Sequence, residues 1–126
     1  MPADADIAEY LEDQSKGTVG TNLFYGNHPD SPDNSICVQQ SAGLGLDPVS
    51  DFEQVGITIL VRNTVYATGR DLANAILKLL HKLTNTTMET RLYHRIDGQG
   101  SVAYLGTDEK NRCMFSASFI VIKEIE

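Results

Sequence analysis

The sequence predicts an α+β fold: a single mostly antiparallel or mixed β-sheet, one long helix packed on one of its faces, and a short N-terminal helix. Three observations predict it. Residues 53–62 alternate Val55, Ile57, Ile59 and Val61 with Gln54, Gly56, Thr58 and Arg62, the period of a strand buried on one side. Leu72, Ile76, Leu79, Leu80 and Leu83 recur at helical spacing. Residues 112–123 alternate again, with Phe115, Ala117, Phe119 and Val121 on one face.

The other elements follow in chain order. Residues 4–14 read as a helix, with Asp4 as its cap, Asp6 and Glu9 near its positive end, and Ile7, Tyr10 and Leu11 as an apolar stripe. Gly17 ends it. Residues 22–26 and 35–40 are short strands around "GNHPDSPDN", which cannot be regular because Pro29 and Pro32 lack donors and restrict their predecessors. "SAGLGLDPVS" reads as a second loop. Leu60 interrupts the polar face of the 53–62 strand, so that face is expected to be covered locally as well. The long helix starts from a cap at Asn63 or Thr64 and runs to about residue 83, with Arg70, Asn74, Lys78, His81 and Lys82 facing away from the core. Gly69 costs that helix about 1 kcal/mol. Residues 91–96 and 101–105 are strands joined by "DGQG". "GTDEKNR" is a hairpin turn in which Asn111 takes the left-handed conformation.

A chain of 126 residues suits one domain, 1–126, and is too short for two. With 41% hydrophobic residues it can build a core. The longest apolar runs are too short to span a membrane, and the acidic N-terminus does not resemble a secretory signal. Cys37 and Cys113 are expected as free, partly buried thiols in a cytosolic setting. Residues 1–61 hold ten carboxylates against Lys16 alone, a balance of −9, whereas nine basic and seven acidic residues leave 62–126 at +2. This surface either aids solubility, repels phosphate or pairs with a basic protein. Tight sequence-specific DNA binding, which draws its affinity from Lys and Arg on phosphates, is disfavoured.

The sequence holds little that could carry chemistry. His28, His81, His94, Cys37 and Cys113 lack metal-ligand spacing, so no metal or other cofactor is expected. His81 reads as a solvent-facing helix residue, and His94 as a hydrogen-bonded core residue on the face of Leu92 and Ile96. "GLGLD" and "GQGS" lack the third Gly and the Lys of a phosphate loop. Nothing orients a Cys–His dyad. "DSPDNS" lacks the Gly and distal Glu of a calcium loop, and Asp-rich turns form because Asp bonds its own backbone. What remains is exposed, proline-stiffened backbone suited to protein contact at low entropic cost.

Three stretches together carry a resemblance: "GTVGTNLFYGNHPDSPDNSICVQQSAG", "VGITILVRNTVYATGRDLANAILKLL" and "YLGTDEKNRCMFSASFIVI". In this order, over residues 3–123, the chain resembles the phage minor capsid proteins that serve as tail terminators, or tail completion proteins, of long-tailed phages. Asn111 stands where the family often has Gly, and Asn tolerates the same geometry. The resemblance implies an α+β fold and a structural virion protein rather than an enzyme. It also implies a homohexameric ring on the last tail-tube ring that ends tail growth and meets the head-connector protein at the head–tail junction. DNA would pass through without specific binding, no cofactor or membrane is implied, and assembly would occur in the host cytoplasm. The loops 27–34 and 107–112 are expected to touch neighbouring subunits or the tail tube, with Asp30, Asp33, Asp108, Glu109, Lys110 and Arg112 as interface candidates. Two other readings compete: a small cytosolic enzyme using a Cys or carboxylate, and an acidic regulator that binds a basic protein.

Overall fold

A computed structural model describes residues 3–46 and 51–125. Its elements are α1 (Ala3–Asp13), β1 (Leu23–Tyr25), β2 (Ser35–Leu46), β3 (Phe52–Asn63), α2 (Tyr66–Leu80), β4 (Leu83–Met88), β5 (Arg91–Gly98), β6 (Ala103–Thr107) and β7 (Cys113–Glu124). The strands form one mixed sheet in the order β1-β2-β3-β7-β5-β4, with β6 also paired to β7. Only β1 and β2 run parallel. β5 and β6 lie end to end along the same edge of β7, β5 opposite residues 119–123 and β6 opposite 113–116.

Both helices cover the same face. Along β7, Cys113, Phe115, Ala117, Phe119, Val121 and Lys123 are buried, and across β3 they meet Val61, Ile59, Ile57 and Val55 in register. α2 lies over the Phe115 end, where Gly69 lets it approach: a Cβ there would come within 2.8 Å of the Phe115 ring. α1 lies over the other end, where the Tyr93 hydroxyl donates to Asp6 at 2.7 Å beside Lys123. The sheet is curled, so α1 touches β1 and β2 near one side and β4 at the other. That cradle buries Ala3, Ala5, Asp6, Ile7, Ala8 and Leu11, a wider face than the expected stripe. Lys123 continues the buried face of β7 and is neutralised by Glu53, its cross-strand partner at 2.8 Å.

β3 and β7 stand where alternation placed them, and Leu60 is half-buried on the opposite face. Several expectations are corrected. The second helix has fifteen residues rather than a long run from 63 or 64 to 83. Asn63 still pairs with Cys113 in the ladder, so the helix starts later, from Val65, and Asn63 Oδ1 accepts from the Val65 N–H at 2.9 Å. Leu83 opens β4, a strand the pattern did not signal because "LTNTTM" does not alternate apolar with polar residues. Asp4 lies inside α1 rather than capping it, and accepts from the Ala5 N–H at 2.9 Å. "SAGLGL" is not a loop but the end of β2, where a register shift between Ser41 and Gly45 keeps the chain paired to β3. Gly43 permits the close passage, since a Cβ there would meet the Gln54 carbonyl at 2.5 Å. Residues 47–50, expected to continue that loop, lie outside the described residues.

His94 is exposed rather than a core residue. A bulge between Tyr93 and Arg95 adds a residue to β5, which brings both Tyr93 and Ile96 to the buried face and turns His94 outward beside Phe52. His81 is exposed as expected and accepts from the Gly98 N–H at 2.9 Å. Among the described residues, no helix is long and apolar enough to cross a membrane.

Candidate functional site

Two buried arginines organise one end of the sheet. Arg62 is the penultimate residue of β3, on the face opposite the helices, and it points into the 27–34 loop. That loop cannot pair its carbonyls in a ladder, because its backbone is bent by prolines. Arg62 supplies the missing donors, to Pro29 and Pro32 at 2.7 Å each and to the Asp33 carbonyl at 3.2 Å. Asn34 extends the same contact by accepting from the Thr64 N–H at 3.0 Å.

Arg112 follows the β6–β7 turn and joins the two loops. It donates to Asp108 at 2.7 Å and to Asp30 Oδ1 at 2.9 Å, and it also bonds the Asp30 carbonyl and lies 3.4 Å from Asp33. Lys110 pairs with Asp30 as well. Asp108 Oδ1 accepts from the Lys110 and Arg112 N–H groups, which sets the turn, and Asn111 adopts the left-handed conformation expected of it (φ 59°). The Arg112 side chain is 5% exposed, whereas those of Asp30 and Asp33 are 67% and 64% exposed. The two arginines are therefore hidden, while Asp30 and Asp33 face solvent.

Charge follows the geometry. Hydrogen bonds from Arg112 hold Asp108 down at about 2, and bonds from Lys110 and then Arg112 hold Asp30 below the usual carboxylate range. Arg112 is pushed up in turn, chiefly by its bond to Asp108. Burial, with Arg112 close by, lowers Arg62. His28 shares a 2.7 Å hydrogen bond with Ser35, and burial, then Arg62 and Arg112, push it down to about 4.

Five of the six interface candidates, Asp30, Asp33, Asp108, Lys110 and Arg112, are thus brought into one cluster although they come from loops about eighty residues apart. Glu109 is exposed beside them and has no ion-pair partner among the described residues. Arg62 was missed by sequence reasoning, although an Arg ending an otherwise uncharged polar face was a usable signal. Also missed was an apolar corner next to the cluster, made by Val65, Tyr66, Tyr104 and Leu105, all 45% exposed or more. The Tyr66 and Tyr104 rings meet edge to face at 5.0 Å.

This arrangement is poorly suited to catalysis. Hydrogen bonds from Arg112 and Lys110 stabilise the charged forms of Asp108 and Asp30, which makes both weak bases. Burial raises the Cys37 thiol to about 11, which keeps it protonated and weakly nucleophilic. An open pocket of about 290 Å³ lies elsewhere, lined by Leu77, His81, Gly98 and Gly100. Compared with protein families, residues 10–125 match the one described as bacteriophage tail terminator protein. The chain belongs to the bacteriophage tail terminator family. Tail terminators are structural components of the virion tail rather than enzymes. No curated protein matches the chain.

Proposed function

We propose that this single-domain protein caps the tail tube as a homohexameric ring, ends tail polymerisation and forms part of the head–tail interface. The observation that carries the reading is the family match over residues 10–125. The clamped loops support it: they present Asp30, Asp33, Glu109 and Lys110 on a stiff frame, at little entropic cost to a partner. The tail-tube protein and the head-connector protein are the partners, and the host cytoplasm is where the parts assemble.

Size supports six copies. A compact chain of this length has a radius of gyration of about 14 Å, equivalent to a sphere roughly 35 Å across. Four such spheres leave a hole of about 15 Å, and six leave one about a subunit wide, which passes a DNA duplex. The acidic half lines the bore, so DNA slides without binding. Mass photometry of the assembled form tests the stoichiometry, with six copies expected and any other closed number against it. Gel-shift titration at physiological salt tests the bore. No binding is expected, and micromolar binding that weakens steeply with salt contradicts an acidic lumen.

The loop assignment is tested on Glu109 and Lys110. Asp108 and Arg112 hold the turn together, so reversing them tests folding instead. Glu109→Lys with Lys110→Glu leaves the fold intact and impairs capping or head joining. Tails of normal length that still join heads would remove these loops from the interface.

A further inference from the structure

α1 carries more negative charge than its position favours. It holds Asp4, Asp6, Glu9, Glu12 and Asp13, with no Lys or Arg among them. Glu12 and Asp13 fall at its C-terminal end, where the helix dipole is already negative. Glu89, in the turn between β4 and β5, adds to the same group. Partial burial, then the charges of Glu12, Glu89 and Asp13, raise the Glu9 carboxyl above its ordinary value.

Asp6 is the one charged residue on the docking face of α1. Ala3, Ala5, Ile7, Ala8 and Leu11 are buried with it, and Asp6 itself is 1% exposed. Its Oδ2 accepts from the Tyr93 hydroxyl at 2.7 Å, whereas its Oδ1 has no hydrogen-bond partner among the described residues. A buried carboxylate needs several donors to offset its lost hydration, and a neutral carboxyl needs fewer. α1 packs against β1, β2, β3 and β4. β1, β2 and β4 contribute no charged side chain, and their titratable groups are Tyr25 and Cys37. β3 offers Glu53, which Lys123 engages, while its Arg62 lies on the opposite face among the loop carbonyls. From β5 and β7 come Tyr93, Arg91 and Lys123. Burial raises the Asp6 carboxyl. The Tyr93 hydrogen bond and the charges of the amino terminus, Lys123 and Arg91 offset that only in part.

We propose that α1 is a pH-sensitive latch, seated on the sheet while Asp6 is neutral and loosened when Asp6 ionises in its cradle, so that α1 lifts and uncovers the apolar face beneath it. The crowded carboxylates of Glu9, Glu12, Asp13 and Glu89 act in the same direction. A carboxyl whose folded value lies above the ordinary 3.8 binds more protons in the seated state than in the lifted one. Seating therefore weakens as pH rises from 3.8, and the loss levels off once Asp6 is ionised in both states. The latch stands whether or not copies of the chain form a ring.

Hydrogen exchange of the full chain between pH 4 and pH 7, corrected for intrinsic amide rates, tests the latch. The amides of α2 report global opening and serve as the reference. Opening of α1 relative to α2 should increase with pH, by at most about tenfold per unit because one proton is lost. Asp6→Asn keeps an acceptor for Tyr93 and cannot ionise. It should lose most of that pH dependence, and at pH 7 its α1 should open less often than the native one by about threefold or more, the equivalent of roughly half a pKa unit. Equal α1 protection in the two chains at pH 7, or native α1 opening that falls as pH rises, would overturn the proposal. Should Asp6→Asn fail to fold, an NMR titration of the Asp6 carboxyl in the native chain decides the matter. Titration above the ordinary 3.8 supports the latch, and titration at or below it means that ionisation tightens α1 instead.

Discussion

Arg62 and Arg112 lie close enough to oppose each other's charge, and three carboxylates offset them. Their roles differ from that of Lys110, whose ion pair is exposed at both ends. Arg62→Met strips three loop carbonyls of their donor and should cost about 2 kcal/mol or more in urea unfolding. Lys110→Ala should leave the midpoint unchanged, as exposed pairs contribute little. His28 gives the cluster a pH signature. Its ordinary value is 6.5 and its folded value about 4, so in that window the unfolded chain binds more protons than the folded one. Stability should therefore fall as pH drops from 6.5 towards 4, and His28→Gln should flatten that slope. Asp108 adds a second loss as pH falls from 3.8 towards about 2, because its charge is held only in the folded state. Urea midpoints measured from pH 7 down to pH 2 resolve both. Sequence reading located the acidic and basic residues of these loops by turn chemistry, but their mutual contact spans about eighty residues and leaves no local pattern.

Elements with strong periodicity were legible, and those that depend on tertiary pairing were not. β3 and β7 alternate because one face is buried, and that signal survives in any context. β4 is polar and exists because β5 offers it a ladder, and the second half of β2 exists because Gly43 fits against β3. A one-residue bulge was enough to send His94 to the opposite face from the one its spacing predicted. Gly69 shows the same limit. By helix propensity alone, Gly69→Ala should stabilise α2 by about 1 kcal/mol. Its Cβ would instead press on Phe115 at 2.8 Å and Asn63 at 3.0 Å, so a net loss of about 1–3 kcal/mol is expected in urea unfolding. A gain would mean that α2 can lift off β7 at no cost. At the other end, Tyr93→Phe removes the hydroxyl that bonds Asp6 and leaves a buried carboxylate short of a donor. A loss of about 1–3 kcal/mol is expected, with amide exchange in α1 accelerating more than in α2.

At the scale of the whole molecule, the division between an acidic first half and a slightly basic second half was visible from charge counts alone. Its meaning depends on placement. Asp4 and Glu12 of α1 lie beside β1, whereas Asp6 meets Tyr93 of β5 and Arg70 is paired with Asp71, so the polarity of the chain is only partly carried into the folded subunit. The apolar corner was not legible, because Tyr66 and Tyr104 lie 38 positions apart and each belongs to an ordinary amphipathic segment. The family, by contrast, was legible from the joint order of three stretches, and the match over residues 10–125 agrees with it. The central claim is that the protein ends tail growth by capping the tube. Electron microscopy of tails assembled with and without it tests that claim most directly. With the protein, tails should have one uniform length and a ring at the end that meets the head. Without it they should be overlong and unjoined, and an unchanged length distribution with normal head joining would contradict the account.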